Sequence, residues 1–365
     1  MFKRTELSAA LLGLCLIASP ALAQAPINDK LPDPDGKPAD MTKPVKVFIV
    51  MGQSNTLEFG QVEGDKPGTL RTAIGEGMYP FLVDDAGSWT TRQDVRQVHV
   101  MQRRGNMSVG RNDFLTVKGK KIGIDLAIGH HLGNHFNEPV MVLRSSIGNR
   151  SLGWDILPPG AERFEHTEFD KKQNRDVTYV YPGYKDEVRH GRWEKGNVPA
   201  PPDHDWYAGK QYDDDVANAK KVLEDLDKYY PGAVGYEVAG FIWFQGDKDR
   251  YNAGHARHYG KNLQTLFNAL RKDFNAPDAK FVCGTLGQTA KDNASGNEKL
   301  IMDGKFAFGA DPQNKGKAAV VYTHPLSMGS SSNAHYGGNA KTYMNFGLGL
   351  GEAMVGLFKG SSNTQ

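Results

Sequence analysis

Cysteine is almost absent from this chain: among 365 residues only Cys15 and Cys283 carry a thiol. Cys15 lies within an N-terminal apolar stretch and follows the bulky Leu14, whereas a lipidated cysteine follows a small residue at a cleavage edge. With that stretch removed Cys283 stands alone, so no intrachain disulfide forms and the fold must rest on its core. Charge of one sign is also lacking. Lys and Arg number 44 against 42 Asp and Glu, a formal net charge of +2, which gives no electrostatic case for nucleic acid. Neither G-x-x-x-x-G-K-[ST] nor a strand-linked G-x-G-x-x-G occurs, which leaves phosphate and dinucleotide chemistry without support. His131 and His135 are four apart and His255 and His258 three apart, but no Cys, Asp or Glu joins either pair at a metal-site spacing. Neither a metal nor another cofactor is expected.

What is present begins with the N-terminus. Lys3 and Arg4 lead into the apolar run Leu11–Ala18, followed by Pro20 and Ala21-Leu22-Ala23. A basic head, a short apolar middle and a small-residue exit read as a secretory signal peptide over 1–23, too short for a membrane anchor. A secreted or periplasmic protein with no membrane association is expected. Residues 24–44, rich in Pro, Asp and Lys, read as an exposed lead-in. The remainder, 45–365, is expected to form a single domain. Its composition, 39% hydrophobic and 24% charged over the whole chain, is that of an ordinary globular protein.

From Val45 onward, short apolar runs alternate with helical patterns. VKVFIVM (45–51), PVMVLRSS (139–146), VAGFIWFQG (238–246), KFVCGTLG (280–287) and AAVVYTHP (318–325) have strand length and near-continuous apolarity, as strands covered on both faces do. Apolar residues at helical spacing predict helices over 124–136, 215–230, 256–274 and 339–358. Strands alternating with helices imply a parallel sheet between helix layers, with sites at the C-terminal strand ends. Residues 57–118 read as elaborated loops containing short β-like pieces. Residues 158–212 read as an insertion whose aromatics, among them Trp193, Trp206 and Tyr207, either stack on sugar rings or pack the insertion down.

Polar groups useful for acyl transfer stand at three strand ends. The first is Gly52-Gln53-Ser54-Asn55, the second Ser145-Ser146-Ile147-Gly148-Asn149-Arg150, the third Trp243-Phe244-Gln245-Gly246-Asp247. Ser332-Asn333-Ala334-His335-Tyr336-Gly337 precedes the last helix. Ser54 has two readings, a helix cap or a nucleophile presented at a strand-to-helix turn. Gly148 either permits a left-handed turn or offers a backbone N–H, and the two are compatible.

GQSN at 52–55, the Gly148 turn, WFQGD at 243–247 and HY at 335–336, taken in order, resemble the SGNH hydrolase superfamily, and within it the sialate O-acetylesterase-like carbohydrate esterases. WYAGKQYDDD (206–215) also resembles one branch of that group, and the similarity spans 45–358. The resemblance implies a three-layer α/β/α sandwich with a central parallel, flavodoxin-like sheet. It also implies a secreted serine esterase acting on O-acetylated carbohydrate through an acyl-serine intermediate. It assigns Ser54 as nucleophile and His335 as general base. The oxyanion donors it implies are the backbone N–H groups of Ser54 and Gly148 and the side-chain amide of Gln245.

One departure matters. The superfamily pattern Asp-x-x-His has Ser332 in place of its acid, so the imidazole's orienting partner must come from elsewhere: Asp247, or a backbone carbonyl, unless activity has been lost. A non-catalytic carbohydrate-binding protein and a broad small-ester esterase therefore stand as alternatives. His324 rivals His335 as base. Asn55 is expected to hold its turn and, with Arg150 and Trp154, to stand near substrate.

Overall fold

Val45–Gly52 forms strand β1, whose side chains alternate between two cores. Val45, Val47, Ile49 and Met51 enter one core, Phe48 and Val50 the other. The computed structural model describes residues 27–34, 36–64 and 67–362, so the expected signal peptide lies outside the described residues. After β1 come β2 (Gly60–Gln61), α1 (Leu70–Gly75), β3 (Thr91–Arg103), β4 (Asn106–Thr116), β5 (Lys121–Ile122), α2 (Ile124–His135) and β6 (Val140–Ser145). The middle of the chain adds β7 (Phe164–Asp170), β8 (Arg175–Tyr181), β9 (Trp193–Glu194), α3 (Lys210–Glu224) and α4 (Leu226–Tyr229). The last third gives β10 (Tyr236–Phe244), α5 (Ala253–Asp273), β11 (Lys280–Gly284), α6 (Gly296–Ala310), β12 (Ala318–Val321) and α7 (Ala340–Ser362).

Seven strands make the central sheet in the order β12-β11-β10-β1-β6-β3-β4, parallel throughout except for the antiparallel pair β3–β4. Buried residues of α1, α2 and α7 pack on the Phe48 side, and those of α3, α5 and α6 on the Val47 side. This is the three-layer α/β/α arrangement expected. Each fully buried large apolar side chain contributes roughly 1.5–3 kcal/mol, and Phe241, Trp243 and Tyr259 are among many. The core therefore supplies what disulfides do not, and Cys283 is simply one of its buried residues.

Three expectations are corrected. Residues 57–118 are not merely loops, because β3 and β4 form a long hairpin that extends the central sheet. The stretch 158–212 carries a three-stranded antiparallel sheet, β7-β8-β9, with its own small cluster of Val177, Tyr179 and Tyr181. It is packed down onto α5: Phe164 stacks on His258, and the Tyr181 hydroxyl donates to Asn252 Oδ1 at 2.9 Å. The helix expected from Asp215 begins instead at Lys210, because Gly209 takes φ +91° just before it and a Cβ there would lie 2.4 Å from the Leu157 carbonyl oxygen.

Candidate active site

β1 lies between β6 and β10, so the ends of three neighbouring strands deliver Ser54, Gly148 and Gln245 to one rim. Crevices outside the carboxyl ends of such strands are where α/β sheets bind ligands. The rim is tight. Gly52 has φ +149°, and a Cβ on it would lie 2.3 Å from the Phe244 carbonyl oxygen, so β1 and β10 can end this close only with glycine there.

Ser54 opens a 3₁₀ turn, Ser54–Thr56, whose N-cap position belongs to Gln53 and has no side-chain cap. The helix-cap reading of Ser54 therefore fails. Its hydroxyl is half-buried and has no hydrogen-bond partner among the described residues. Gly148 packs against the Ser54 residue: a Cβ on Gly148 would sit 3.3 Å from Ser54 Cβ. Gly148 itself is not left-handed, since the positive φ of that turn, 58°, falls on Asn149. Its glycine requirement is close approach to the serine.

Asn55, expected near substrate, is 1% exposed and its side chain is held within the protein. Nδ2 donates to the Ser332 carbonyl oxygen at 3.0 Å, and the Tyr343 hydroxyl lies 3.0 Å from Asn55 Oδ1 and 3.3 Å from the His335 carbonyl oxygen. The substrate-contact expectation is corrected to a positioning one: Asn55 ties the Ser54 turn to the histidine loop.

That loop is unusual in its backbone. His335 and Tyr336 have φ of 49° and 50°, and Gly337 and Gly338 continue at 65° and 72°. Each non-glycine residue held left-handed costs of order 1–3 kcal/mol and persists where its surroundings over-determine it. Here Tyr336 is fully buried and its hydroxyl accepts from Gly287 N–H at 3.2 Å. The His335 ring stacks on Phe59, centroids 3.8 Å apart and planes 3° from parallel. Burial lowers its pKa below the ordinary histidine value, Asp247 opposes that shift and Lys121 adds to it. A neutral imidazole at neutral pH is available as a base. His324 follows β12, three strand spacings or about 14 Å from β1, and its Nδ1 pairs with the Gly287 carbonyl oxygen.

Ser332 does not leave the acid position idle. Its hydroxyl donates to Asp247 Oδ1, which also accepts from Arg250 Nε at 2.9 Å. Asp247 is thus brought to the histidine loop through the residue that replaces the acid.

Gln245 is 1% exposed. Its Nε2 donates to the Arg150 carbonyl oxygen at 2.9 Å and to Asp249 Oδ2, with Gln53 Oε1 at 3.2 Å. Its Oε1 accepts from the Tyr259 hydroxyl at 2.9 Å. Two buried charges that the sequence did not single out complete this underside. Asp249 also accepts from Leu152 N–H at 2.9 Å and Gly153 N–H at 2.8 Å, pinning the chain just after the Gly148 turn. Burial pushes its carboxyl up to about 6 despite those donors. Lys305 Nζ donates to the Gln245 and Gly284 carbonyl oxygens, and burial pushes its pKa down to about 8.

A cleft of about 790 Å³ opens beside the Gly148 turn, lined by Ile147, Arg150, Trp206, Lys210 and the hairpin-tip residues Arg103 and Arg104. Arg150 lies over the Trp206 ring at 5.2 Å and donates to Gln211 Oε1. Trp154, expected here with Arg150, is not among the residues lining the cleft, and it packs beside Gly191 instead. Among the described residues no three His, Cys, Asp or Glu side chains converge as metal ligands would. No helix among them is long and apolar enough to cross a membrane.

Residues 190–355 match the family model described as "carbohydrate esterase, sialic acid-specific acetylesterase". The match covers the Gln245, Asp247 and His335 blocks and bears out the resemblance read from the motifs. No curated protein matches the chain. Among solved structures, a protein from Arabidopsis thaliana aligns over 86% of this chain and 99% of its own at 15% identity, TM-score 0.47. A carbohydrate acetylesterase from Xanthomonas citri aligns over 86% and 57% at 13% identity, TM-score 0.48. NanS aligns over 89% and 99% at 12% identity, TM-score 0.43.

Proposed function

We propose that the chain, whose residues 190–355 match a carbohydrate esterase family model, is a carboxylic ester hydrolase that removes O-acetyl groups from carbohydrate by way of an acyl-serine at Ser54. The observation that carries this reading is the Ser54 side chain, its hydroxyl without a partner among the described residues, set beside Gly148 at the sheet's switch point and joined to the histidine loop through the neighbouring Asn55. His335 takes the proton from Oγ as Oγ attacks the acetyl carbonyl carbon, and charge moves to the carbonyl oxygen. The Ser54 and Gly148 backbone N–H groups, which have no acceptor among the described residues, stabilise that charge. The C–O bond to the sugar breaks, and His335 returns the proton to the departing alkoxide. Water, deprotonated by His335, then attacks the acyl-serine; the acyl C–Oγ bond breaks, His335 returns the proton to Ser54 Oγ, and acetate leaves.

Asp247 stabilises the imidazolium formed in both halves, its charge reaching His335 while its carboxylate holds Ser332. This weakens the case for a binder that has lost turnover, a reading motivated by the missing acid at 332. The Arg150–Trp206 cleft is the acceptor-sugar side, an aromatic ring with a cation beside it being a surface for a polar ring. Export by the 1–23 segment would let the enzyme meet its substrate outside the cytoplasm.

Hydrolysis of p-nitrophenyl acetate by the wild type and its loss in Ser54→Ala test the chemistry. Acetate release from acetylated xylan, pectin or sialic acid, compared with small-ester turnover, tests the carbohydrate assignment. Turnover undiminished in Ser54→Ala contradicts the reading.

A further inference from the structure

The imidazole of His335 is held by an aromatic face rather than by an acid. Neither ring nitrogen has a hydrogen-bond partner among the described residues; the bond that reaches this residue, from the Tyr343 hydroxyl, ends on its carbonyl oxygen. Asp247, whose charge reaches the ring, has its Oδ1 engaged by Ser332 and Arg250. The plane of the ring is set by Phe59, with centroids 3.8 Å apart and planes 3° from parallel. Phe59 is itself seated by close backbone approaches. A Cβ on Gly60, the next residue and the start of β2, would lie 3.0 Å from Ala340 Cα, and a Cβ on Gly338 would lie 3.3 Å from the Phe59 carbonyl oxygen. At 3.8 Å the two rings are at van der Waals separation, which leaves little lateral offset. Neutral aromatic pairs favour offset or edge-on contact over such an overlap, whereas a cation over the same face is attracted by its quadrupole. The stack suits imidazolium better than imidazole.

We propose that Phe59 is the positioning residue for His335: its ring fixes the imidazole plane and stabilises the imidazolium that forms as Ser54 gives up its proton. The proposal rests on the reading of His335 as general base above. Burial keeps His335 neutral at rest, and the ring becomes cationic only along the reaction path. The attraction of the Phe59 face is therefore larger in the transition state than in the ground state, which is the condition for accelerating the chemical step. The charged groups facing the pair are Lys121 of β5, with Nζ 5.3 Å from the Phe59 centroid, and Asp247 beyond β10. Glu58, next to Phe59 in the chain, pairs instead with Arg111 at 3.4 Å. A change confined to the Phe59 ring leaves all of these in place.

Replacing Phe59 by mono-, di- and trifluorophenylalanine drains negative charge from the ring face at nearly constant size. The His335 ring-proton resonance, assigned by its absence from His335→Gln, should then titrate at progressively lower pH, by about half a unit across the series, and the acid limb of kcat/KM should move down with it. An unmoved or raised midpoint overturns the imidazolium role. Phe59→Leu keeps an apolar cover without a flat face. With p-nitrophenyl acetate its kcat should fall about tenfold with KM within about threefold of wild type, and Phe59→Tyr, which restores the face, should return kcat to within about threefold. A kcat near wild type in folded Phe59→Leu overturns the positioning role; should that variant fail to fold, the fluorinated series still decides. Ser54→Ala run alongside separates the two levels: turnover surviving there removes the acyl-serine reading itself, whereas its loss with an unmoved His335 titration removes only the Phe59 assignment.

Discussion

Ser54 leaves a strand hydrogen-bonded along both flanks, whereas His335 sits in a loop with four successive positive φ values, outside any strand ladder. The Ser54 side is set by the fold itself: β1 ends between β6 and β10, and Gly52 and Gly148 permit the close approach. The histidine side is set by individual side chains, namely Asn55 to Ser332, Ser332 to Asp247, Tyr336 to Gly287 and the Phe59 stack. One half is therefore sensitive to what disturbs stability, the other to what disturbs alignment.

The sharpest contrast is expected from His335→Ala, which should lower kcat by about 10⁴ while leaving the thermal midpoint close to wild type, since the ring is partly exposed and stacked on one neighbour. Equal loss of melting temperature and activity would erase the distinction between the two halves. Gly52→Ala should do the reverse, destabilising by about 3 kcal/mol through overpacking and backbone strain, read as a lowered denaturant midpoint. Next comes Asn55→Ala, which cuts the link between the halves. A misplacement of about 1 Å can cost 10² in rate, so kcat should fall by about that much, more than any loss of stability explains.

Ser332→Ala should have a smaller effect, about tenfold in kcat, because Asp247 keeps its charge but loses its tether to the loop; the value corresponds to about 1.4 kcal/mol. The pH profile gives the finest test. With the His335 pKa lowered by burial, kcat/KM should rise on an acid limb below the ordinary histidine value and be level through neutrality. Asp247→Asn removes a charge that raises this pKa, so the limb should move to lower pH; movement to higher pH contradicts the proposed electrostatic role. The sign for stability follows from the same shift: neutral histidine is favoured in the fold, so this group's contribution is present above an unfolded value of about 6.5 and is lost as pH falls.

Legibility in the sequence divides along related lines. β1, β6, β10, β11 and β12 are readable because strands covered on both faces are continuous apolar runs. The hairpin β3–β4 is not, since TRQDVRQVHVMQR is largely polar and its partner reaches the sheet edge. Nor is α6 signalled: Gly296, Gly304 and Gly309 interrupt its pattern, although Gly304 is needed where the helix meets Gly260 of α5, a Cβ there falling 2.9 Å from Gly260 N. Motif order is what nominates Ser54, Gly148, Gln245 and His335 as the candidates. It could not reveal that Gln245 is bonded on all sides, because the carbonyl of Arg150 and the carboxylate of Asp249 reach it only after folding. The same holds for Ser332, a missing acid in the linear pattern and a donor to Asp247 in three dimensions.

The central claim, a covalent acyl-enzyme at one serine, is tested most directly by acid-quenching the enzyme during p-nitrophenyl acetate turnover and mapping the acetyl adduct by peptide mass spectrometry. One acetyl group on the peptide containing Ser54, absent from Ser54→Ala, is the expected result. An adduct on another residue, or rapid steady-state turnover in Ser54→Ala, would contradict it.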